Sequence, residues 1–506
     1  MSSERLAEAH HVRPQWRSRM GFILAAIGSA VGLGNIWRFS YLCYKNGGGA
    51  FLVPYFIALL VVGIPLMILE LGIGHKMRGS APMSMAKVHR SWEWLGWWAV
   101  LTVMFGIMFY YSTIIAWCLS YVFYAVKLSW GADPDHFFFK EFLQKSSGPF
   151  DLGDLRFPIV CALFGVWFLS WFIVYFGVQN GVERANKIFM PLLLVLIGIL
   201  VVWSVNLEGA AKGIAVYLKP DFSKLGDKQI WIDAFSQIFF TLSLGFGIMI
   251  AYASYLPKKV NIVKDAAIIS LGNAAFSFLA GFAVFGTLGY MAHTTGQPVA
   301  NVVTESIGLA FVAYPKAISL MPAFKSVFGV LFFLSLVIAG LSSGISILEA
   351  FASAIIDKFN YSRKTVVSHI CMIGFIGSLV FTAKGGMFWL DIADHFITHY
   401  GLVLVGILEC VVVGWIWKAS KLRKHINQAA PGALLSIWDA LIMFVTPGIL
   451  IALIVIDFLK EIESPYYGEY PPKAILLIGP CWLLITFIAS LFVAMRRWKK
   501  EFSEDH

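Results

Sequence analysis

Residues 28–39 read Gly28-Ser29-Ala30-Val31-Gly32-Leu33-Gly34-Asn35-Ile36-Trp37-Arg38-Phe39, and residues 241–247 read Thr241-Leu242-Ser243-Leu244-Gly245-Phe246-Gly247. Both stretches lie inside long apolar segments. Each glycine costs about 1 kcal/mol of helix propensity relative to alanine. Clustered at mid-depth of a membrane helix, such residues favour a local break. A bilayer tolerates broken backbone only where it is buried in protein or lines a polar cavity. Glycine is also common in membrane helices for close packing, so one cluster alone would carry little weight. Here the interrupted segments are the first and the sixth, the same place in two sets of five. That is the sequence pattern of an inverted-repeat transporter with its site at the breaks.

The rest of the chain agrees. Of 506 residues, 59% are hydrophobic and 13% charged, against about 25% charged in a soluble domain; mean hydropathy is +0.76. This excludes a soluble enzyme and a disordered chain. At about 20 residues per span, the length holds roughly 10–13 helices. Twelve spans are predicted near 21–44, 50–72, 95–126, 157–176, 186–205, 232–256, 264–292, 325–357, 365–383, 391–417, 437–459 and 473–495. The longer connections are 127–156, 206–231, 293–324 and 460–472.

The formal charge of +10 reads as basic cytoplasmic loops rather than a nucleic-acid surface. With the N-terminus inside, 24 of the 39 Lys and Arg residues fall on the inner side. Both termini are therefore expected in the cytoplasm. Residues 1–19 lack the pattern of a cleaved signal peptide. The sequon Asn360-Tyr361-Ser362 would lie inside, which fits a multi-pass protein of a prokaryotic plasma (inner) membrane. Cys43, Cys118, Cys161, Cys371, Cys410 and Cys481 are scattered singly and expected to be structural.

Several polar residues interrupt the apolar spans. Carbonyls freed at half-helix C-termini suit Na⁺, and amides at half-helix N-termini suit a carboxylate. Asn35, Thr241, Ser243, Asn273, Ser277, Ser342 and Ser343 add neutral oxygens. A bland reading stands beside this one, in which the hydroxyls bond back one helical turn. It is weakest for Asn273, whose amide cannot be satisfied so locally. Glu70, Glu349, Glu409 and Asp439 fall within or at the ends of spans. For the three glutamates a structural hydrogen bond to backbone exposed at the breaks is the simpler expectation; Asp439 reads as an interfacial residue.

Residues 28–39, Asn46-Gly47-Gly48-Gly49-Ala50-Phe51, Pro54-Tyr55, Gly63-Ile64-Pro65-Leu66, 237–247 and Ala339-Gly340-Leu341-Ser342-Ser343 together resemble the neurotransmitter:sodium symporter family over nearly the whole chain. The resemblance implies an all-α polytopic membrane protein of about 12 transmembrane helices. The expected fold is a LeuT-like 5+5 inverted repeat with broken helices 1 and 6, a worked case of this architecture. The repeats would be 20–205 and 232–418, followed by two additional helices over 437–496.

By resemblance there are two Na⁺ sites. One would use Ala30, Asn35, Thr241 and Asn273 with the substrate carboxylate. The other would use Gly28, Val31, Ala339, Ser342 and Ser343. Chloride-independent members carry a glutamate where this chain has Ser277. Tyr55, Gln237, Thr241, Asn273 and Ser277 are accordingly expected to surround Cl⁻, since buried cations without a fixed carboxylate need an anion from solution. The other reading is that Ser277 only packs and protons balance the charge. Leu33, Gly34 and Tyr111 would hold a substrate carboxylate, and Ala30, Phe240, Thr241 and Ser243 an amine. Monoamine carriers have an aspartate at the place of Gly32, so an amino acid is expected. The side-chain pocket would be Ile107, Tyr111, Phe240, Phe246, Ser343, Gly344 and Ile347, apolar and unsuited to charged side chains. Arg38 and Asp394 correspond to an extracellular charged gate, with Tyr111 and Phe240 as an aromatic lid. Arg13 and Asp357 correspond to a cytoplasmic gate, with Trp16, Ser254 and Tyr255 around it.

The expectation is a Na⁺- and Cl⁻-coupled importer of a neutral, hydrophobic α-amino acid working by alternating access. Its partners are that substrate and the lipid bilayer, with no nucleic acid; a homodimer stays open. The alternatives are a chloride-independent symporter, a carrier of an ω-amino acid such as GABA, and a sensor without transport. A channel lacks its rings of charge or carbonyl filter. An enzyme is not expected, because the histidines, His395 and His399 included, form no metal or nucleophile constellation with the central site.

Overall fold

A computed structural model describes residues 13–302, 306–463, 466 and 470–499. The outermost tails, on which the placement of the termini turns, lie outside the described residues. The described fold is all helical. Ten helices are long and apolar enough to cross a membrane, and an eleventh span is the bent pair Arg19–Ala30 and Leu33–Lys45, turned by 72°. The expected sixth span is present as two short helices, Lys228–Thr241 and Ile248–Ala253, separated by the non-helical Leu242–Gly247. The remaining spans are Gly48–Met77, Arg90–Lys127, Phe157–Tyr175, Val178–Val205, Ile262–Thr295, Lys325–Phe359, Arg363–Thr382, Gly386–Ile416, Ile437–Glu463 and Pro472–Ala494. They are numbered here in chain order, 1 to 12.

Burial sorts these spans. In spans 3 and 8 the most apolar stretch is 83% and 78% buried, whereas in spans 11 and 12 it is 28% and 22% buried. Spans 3 and 8 thus form the centre, and spans 11 and 12 present most of their surface to lipid. Span 4 does likewise through Phe157, Phe164, Phe168 and Phe172, all exposed. Without water, apolar burial does not drive helices together; small residues let backbones approach. A Cβ on Gly74 of span 2 would lie 2.8 Å from Ile250 Cα in the second half of span 6, and one on Gly289 of span 7 would lie 2.6 Å from the Gly213 nitrogen.

The predicted connections hold structure of their own. Helices cover Ala210–Leu218, Leu309–Leu320 and Ala419–Ala429. The run Asn46–Gly49 is the turn between spans 1 and 2. Gly47 and Gly48 have φ of 81° and 61°, a conformation glycine adopts without steric penalty. The lack of side chains at Gly48 and Gly49 admits the 216–219 carbonyls.

Gly74→Val should strip span 2 from the second half of span 6. The expected loss is ~1–3 kcal/mol, the usual effect of overpacking, read as a lowered thermal midpoint of the detergent-solubilised protein.

Candidate functional site

The first break begins where Val31 leaves the helix in an extended conformation and Gly32 continues it at φ −126°. Asn35 folds back over the break, its Oδ1 accepting from the Gly32 N–H at 2.8 Å. The Leu33 N–H reaches the Tyr111 hydroxyl of span 3 at 3.4 Å. In the second break Ser243 is left-handed at φ 54°, with Gly245 at 76° and Gly247 at 71°. A non-glycine residue there stores about 1–2 kcal/mol, which the surrounding contacts must hold. Two do so: the Ser243 hydroxyl donates to the Ser29 carbonyl at 3.2 Å, and Glu70 of span 2 accepts from the Gly245 N–H at 2.8 Å.

Two clusters of oxygens result. In one, the Ser343 hydroxyl of span 8 faces the carbonyls of Gly28, Ser29, Val31 and Ala339 at 3.1–3.4 Å. Ser342 bonds back to Ala339 at 2.9 Å. A hydroxyl amid four carbonyls is an oxygen-rich position of the kind a hard cation uses. In the other, the Asn35 Nδ2 faces Thr241 Oγ1 at 3.0 Å, Asn273 Oδ1 at 2.7 Å and Ser277 Oγ at 2.8 Å. Asn273 also donates to Thr241 Oγ1 at 3.2 Å. All four residues are buried. Beside this cluster the Tyr55 hydroxyl, which faces Ser277, and both polar atoms of Gln237 are buried without a hydrogen-bond partner. The Gln237 amide N–H, buried without an acceptor, is a donor that an anion could satisfy, because a buried donor without an acceptor is costly.

A cavity opens between the breaks, bounded by Ala30, Gly32, Leu33, Gly34, Ile107, Tyr111, Phe240, Thr241, Ser243, Phe246, Ser343 and Ile347. It offers about 60 Å³ to the centres of water-sized spheres, room for several waters. Ile107 closes a π-helical turn, Val103–Ile107, which directs it and Tyr111 to one side. Ser29, Asn35, Gln237 and Ile248 also line the cavity; of these, Ser29 and Ile248 carry no signal in sequence beyond adjacency to the breaks. Gly344 does not line it. A Cβ there would point at Met108, 3.2 Å away, because Gly344 sits on the face of span 8 turned to span 3. A Cβ on Gly32 would meet the Tyr111 hydroxyl at 2.9 Å and Ser343 Oγ at 3.2 Å.

The two ends of the cavity differ. At one, Arg13 pairs with both oxygens of Asp357 at 2.7 and 2.8 Å and donates to Ser254 at 2.8 Å. Tyr255 lies under its guanidinium, and the Trp16 indole donates to the Tyr252 carbonyl at 2.9 Å. The Tyr255 hydroxyl continues to Glu349, which also pairs with Arg363. Glu349 is therefore an ion-paired residue rather than a cap on broken backbone. At the other end the Arg38–Asp394 pair is not formed among the described residues. Tyr110 donates to Asp394 at 2.5 Å, and Arg38 rests over the Phe240 ring, 5.2 Å from its centroid. His395 and His399 bond instead to Glu461 and Asp457 of span 11, at 2.5 and 2.8 Å. Asp439 pairs with Arg423, and Glu409 is buried.

Comparison with known proteins decides the family. The profile of the sodium:neurotransmitter symporter family matches residues 13–133 and 131–501. The chain belongs to the sodium:neurotransmitter symporter family. It is similar to an uncharacterized sodium-dependent transporter of Methanocaldococcus jannaschii, 49% identical over 96% of this chain and 99% of that one. It is also similar to the creatine transporter of Torpedo marmorata, 33% identical over 96% and 88% of the two chains. The sodium- and chloride-dependent GABA transporter 2 of Rattus norvegicus is 30% identical over 90% and 82%. As a member of this family the symporter is a multi-pass membrane protein that couples transport to sodium and is not an enzyme.

Ser343→Ala should weaken the sodium dependence of substrate binding at least about tenfold, the equivalent of ~1.4 kcal/mol. Titration of binding against Na⁺ at constant ionic strength reads it.

Proposed function

We propose that this symporter imports a neutral, hydrophobic α-amino acid coupled to Na⁺, bound at two sites, and to Cl⁻, by alternating access. The observation that carries the reading is the pair of oxygen clusters flanking one small, largely apolar cavity. The carbonyls of Gly28, Val31 and Ala339 with the hydroxyls of Ser342 and Ser343 would hold one Na⁺. Ala30, Asn35, Thr241 and Asn273 would hold the other, with the substrate carboxylate. The Gln237 amide, with the hydroxyls of Tyr55 and Ser277, would hold Cl⁻.

Gly32 supports an α-amino acid over a monoamine. An aspartate at that place would have to displace the Tyr111 hydroxyl. Without it, the negative charge opposite a substrate amine comes from the substrate's own carboxylate, bound by the Leu33 and Gly34 amides and Tyr111. The lining from Ile107, Phe246 and Ile347 supplies no ion, so a charged side chain would be stranded. The second reading is an ω-amino acid such as GABA, favoured by the creatine and GABA carriers among the relatives.

The 5+5 inverted repeat and cytoplasmic termini are part of the same proposal. In it the Arg13–Asp357 pair closes the cytoplasmic side, while Arg38, resting on Phe240, stands ready to engage Asp394. Ligands that bind one arrangement better than the other shift the population between them.

Proteoliposomes containing the protein should accumulate labelled neutral amino acids with NaCl outside and fail to do so with KCl or sodium gluconate. Equal uptake in chloride and gluconate would remove the chloride site and leave the symporter. Absence of Na⁺-dependent uptake for every neutral α-amino acid would move the reading to GABA and related substrates.

A fixed carboxylate at the proposed anion site should replace the ion. Ser277→Glu is expected to make uptake independent of chloride, with the gluconate rate rising to within a factor of about two of the chloride rate.

A further inference from the structure

Beside the Arg13–Asp357 gate lies a groove of about 620 Å³ between the start of span 1 and the loop joining spans 6 and 7. Its lining includes Trp16, Arg17, Arg19, Lys259, Asn261 and Lys264. Four cations therefore face one space. Asp265 neutralises Arg19, at 2.5 Å. The Arg17 guanidinium donates to the neutral Asn180 Oδ1 at 2.5 Å, while its backbone N–H goes to Glu183. Glu183 is shared with Lys187 at 2.6 Å. Among the described residues, no carboxylate comes within 4.0 Å of the charged atoms of Arg17, Lys259 or Lys264. Three of the four cations have no carboxylate of their own, and like charges so gathered repel one another, so the arrangement favours an anion.

The depth of the groove selects which anion. Arg19 and Ile262 are the first residues of spans 1 and 7. Met20, one residue deeper, is apolar and 60% exposed, as a lipid-facing side chain should be. The four cations thus stand where two spans leave the apolar zone, the level of lipid phosphates. A phosphate diester offers charge and acceptors to an arginine fork and to two ammonium groups at once. Asn261 caps span 7 by accepting from the Lys264 N–H at 2.9 Å, which fixes where Lys264 begins.

We propose that this groove binds the phosphate-bearing headgroup of an anionic phospholipid of the cytoplasmic leaflet. The inference rests on the cytoplasmic placement proposed above for this face. A headgroup joining Arg17 and Arg19 to Lys259 and Lys264 ties the start of span 1 to the 6–7 loop. An opening that carries the start of span 1 away from both Asp357 and Ser254 would stretch that tie, so the bound lipid favours the closed gate.

The test is native mass spectrometry of the full chain, purified from vesicles of equal phosphatidylglycerol and phosphatidylcholine, beside Lys259→Gln/Lys264→Gln. The wild type should retain phosphatidylglycerol in preference. The double variant should lose at least about fivefold of it, the effect expected for even one basic residue at a membrane surface. An unchanged gel-filtration profile and thermal midpoint of the detergent-solubilised variant control for folding. If 10 mM inorganic phosphate (on the order of cellular levels) displaces the lipid, or binds as well in its absence, the site is one for free phosphate and the lipid assignment falls. Equal retention by wild type and variant, or no preference between the lipids, overturns the proposal. Lipid retention is read without transport, so its failure is separate from any failure of the substrate or chloride reading.

Discussion

Two helices stop and restart inside a dry medium, and the rest of the architecture answers to that. Every freed N–H and C=O at the breaks must find a partner where no bulk water reaches. Span 2 sends Glu70 to the Gly245 N–H, span 3 sends Tyr111 to the Leu33 N–H, and span 8 sends Ser343 to the carbonyls of span 1. Two of these partners come from spans 3 and 8, the most buried of the long spans. Spans 11 and 12, which supply none of them, lie at the lipid boundary.

The same partners make the site chemically specific. Ser343 is one hydroxyl facing four carbonyls; its single hydrogen cannot satisfy all of them, which leaves oxygen lone pairs that a cation could use. Asn35 does two things with one amide: its oxygen closes over the Gly32 break and its nitrogen gathers three oxygens from spans 6 and 7. Between the breaks the wall is apolar, which makes an uncompensated charge there expensive. In the proposed function, polar satisfaction of broken backbone and recognition of ions are one feature viewed from two sides.

The two ends of the cavity are asymmetric. Arg13, Asp357, Ser254, Tyr255, Glu349 and Arg363 form a continuous polar network at one end. It extends sideways to Lys358, next in sequence to Asp357, whose ammonium is buried against Glu93. Glu93 also accepts from the indoles of Trp97 and Trp498 at 2.8 and 2.7 Å. At the opposite end Arg38 has an aromatic face rather than a carboxylate, and Asp394 is held by Tyr110. One end is closed by an ion pair, and the other is not.

Much of this was legible in one dimension. Twelve apolar segments were countable because a bilayer demands about 20 apolar residues per crossing, and most of their limits fall within a few residues of the helices, although span 5 begins at Val178, well before the expected 186. Both breaks were marked by glycine, whose propensity penalty acts locally. The clustering of Asn35, Thr241, Asn273 and Ser277 could be expected from residue type through family resemblance. The burial of Lys358 against Glu93, the bond from Tyr110 to Asp394 and the turning of Gly344 toward Met108 could not. Sequence by itself determined the number of spans, the places where they break and the polar residues available there, because hydropathy and backbone propensity are properties of short segments. Tertiary structure alone decided which polar groups meet, which end of the cavity is bridged by an ion pair and which donors are left over. Those depend on the rotation of each helix about its axis, and that is set by packing against neighbours far away in the chain.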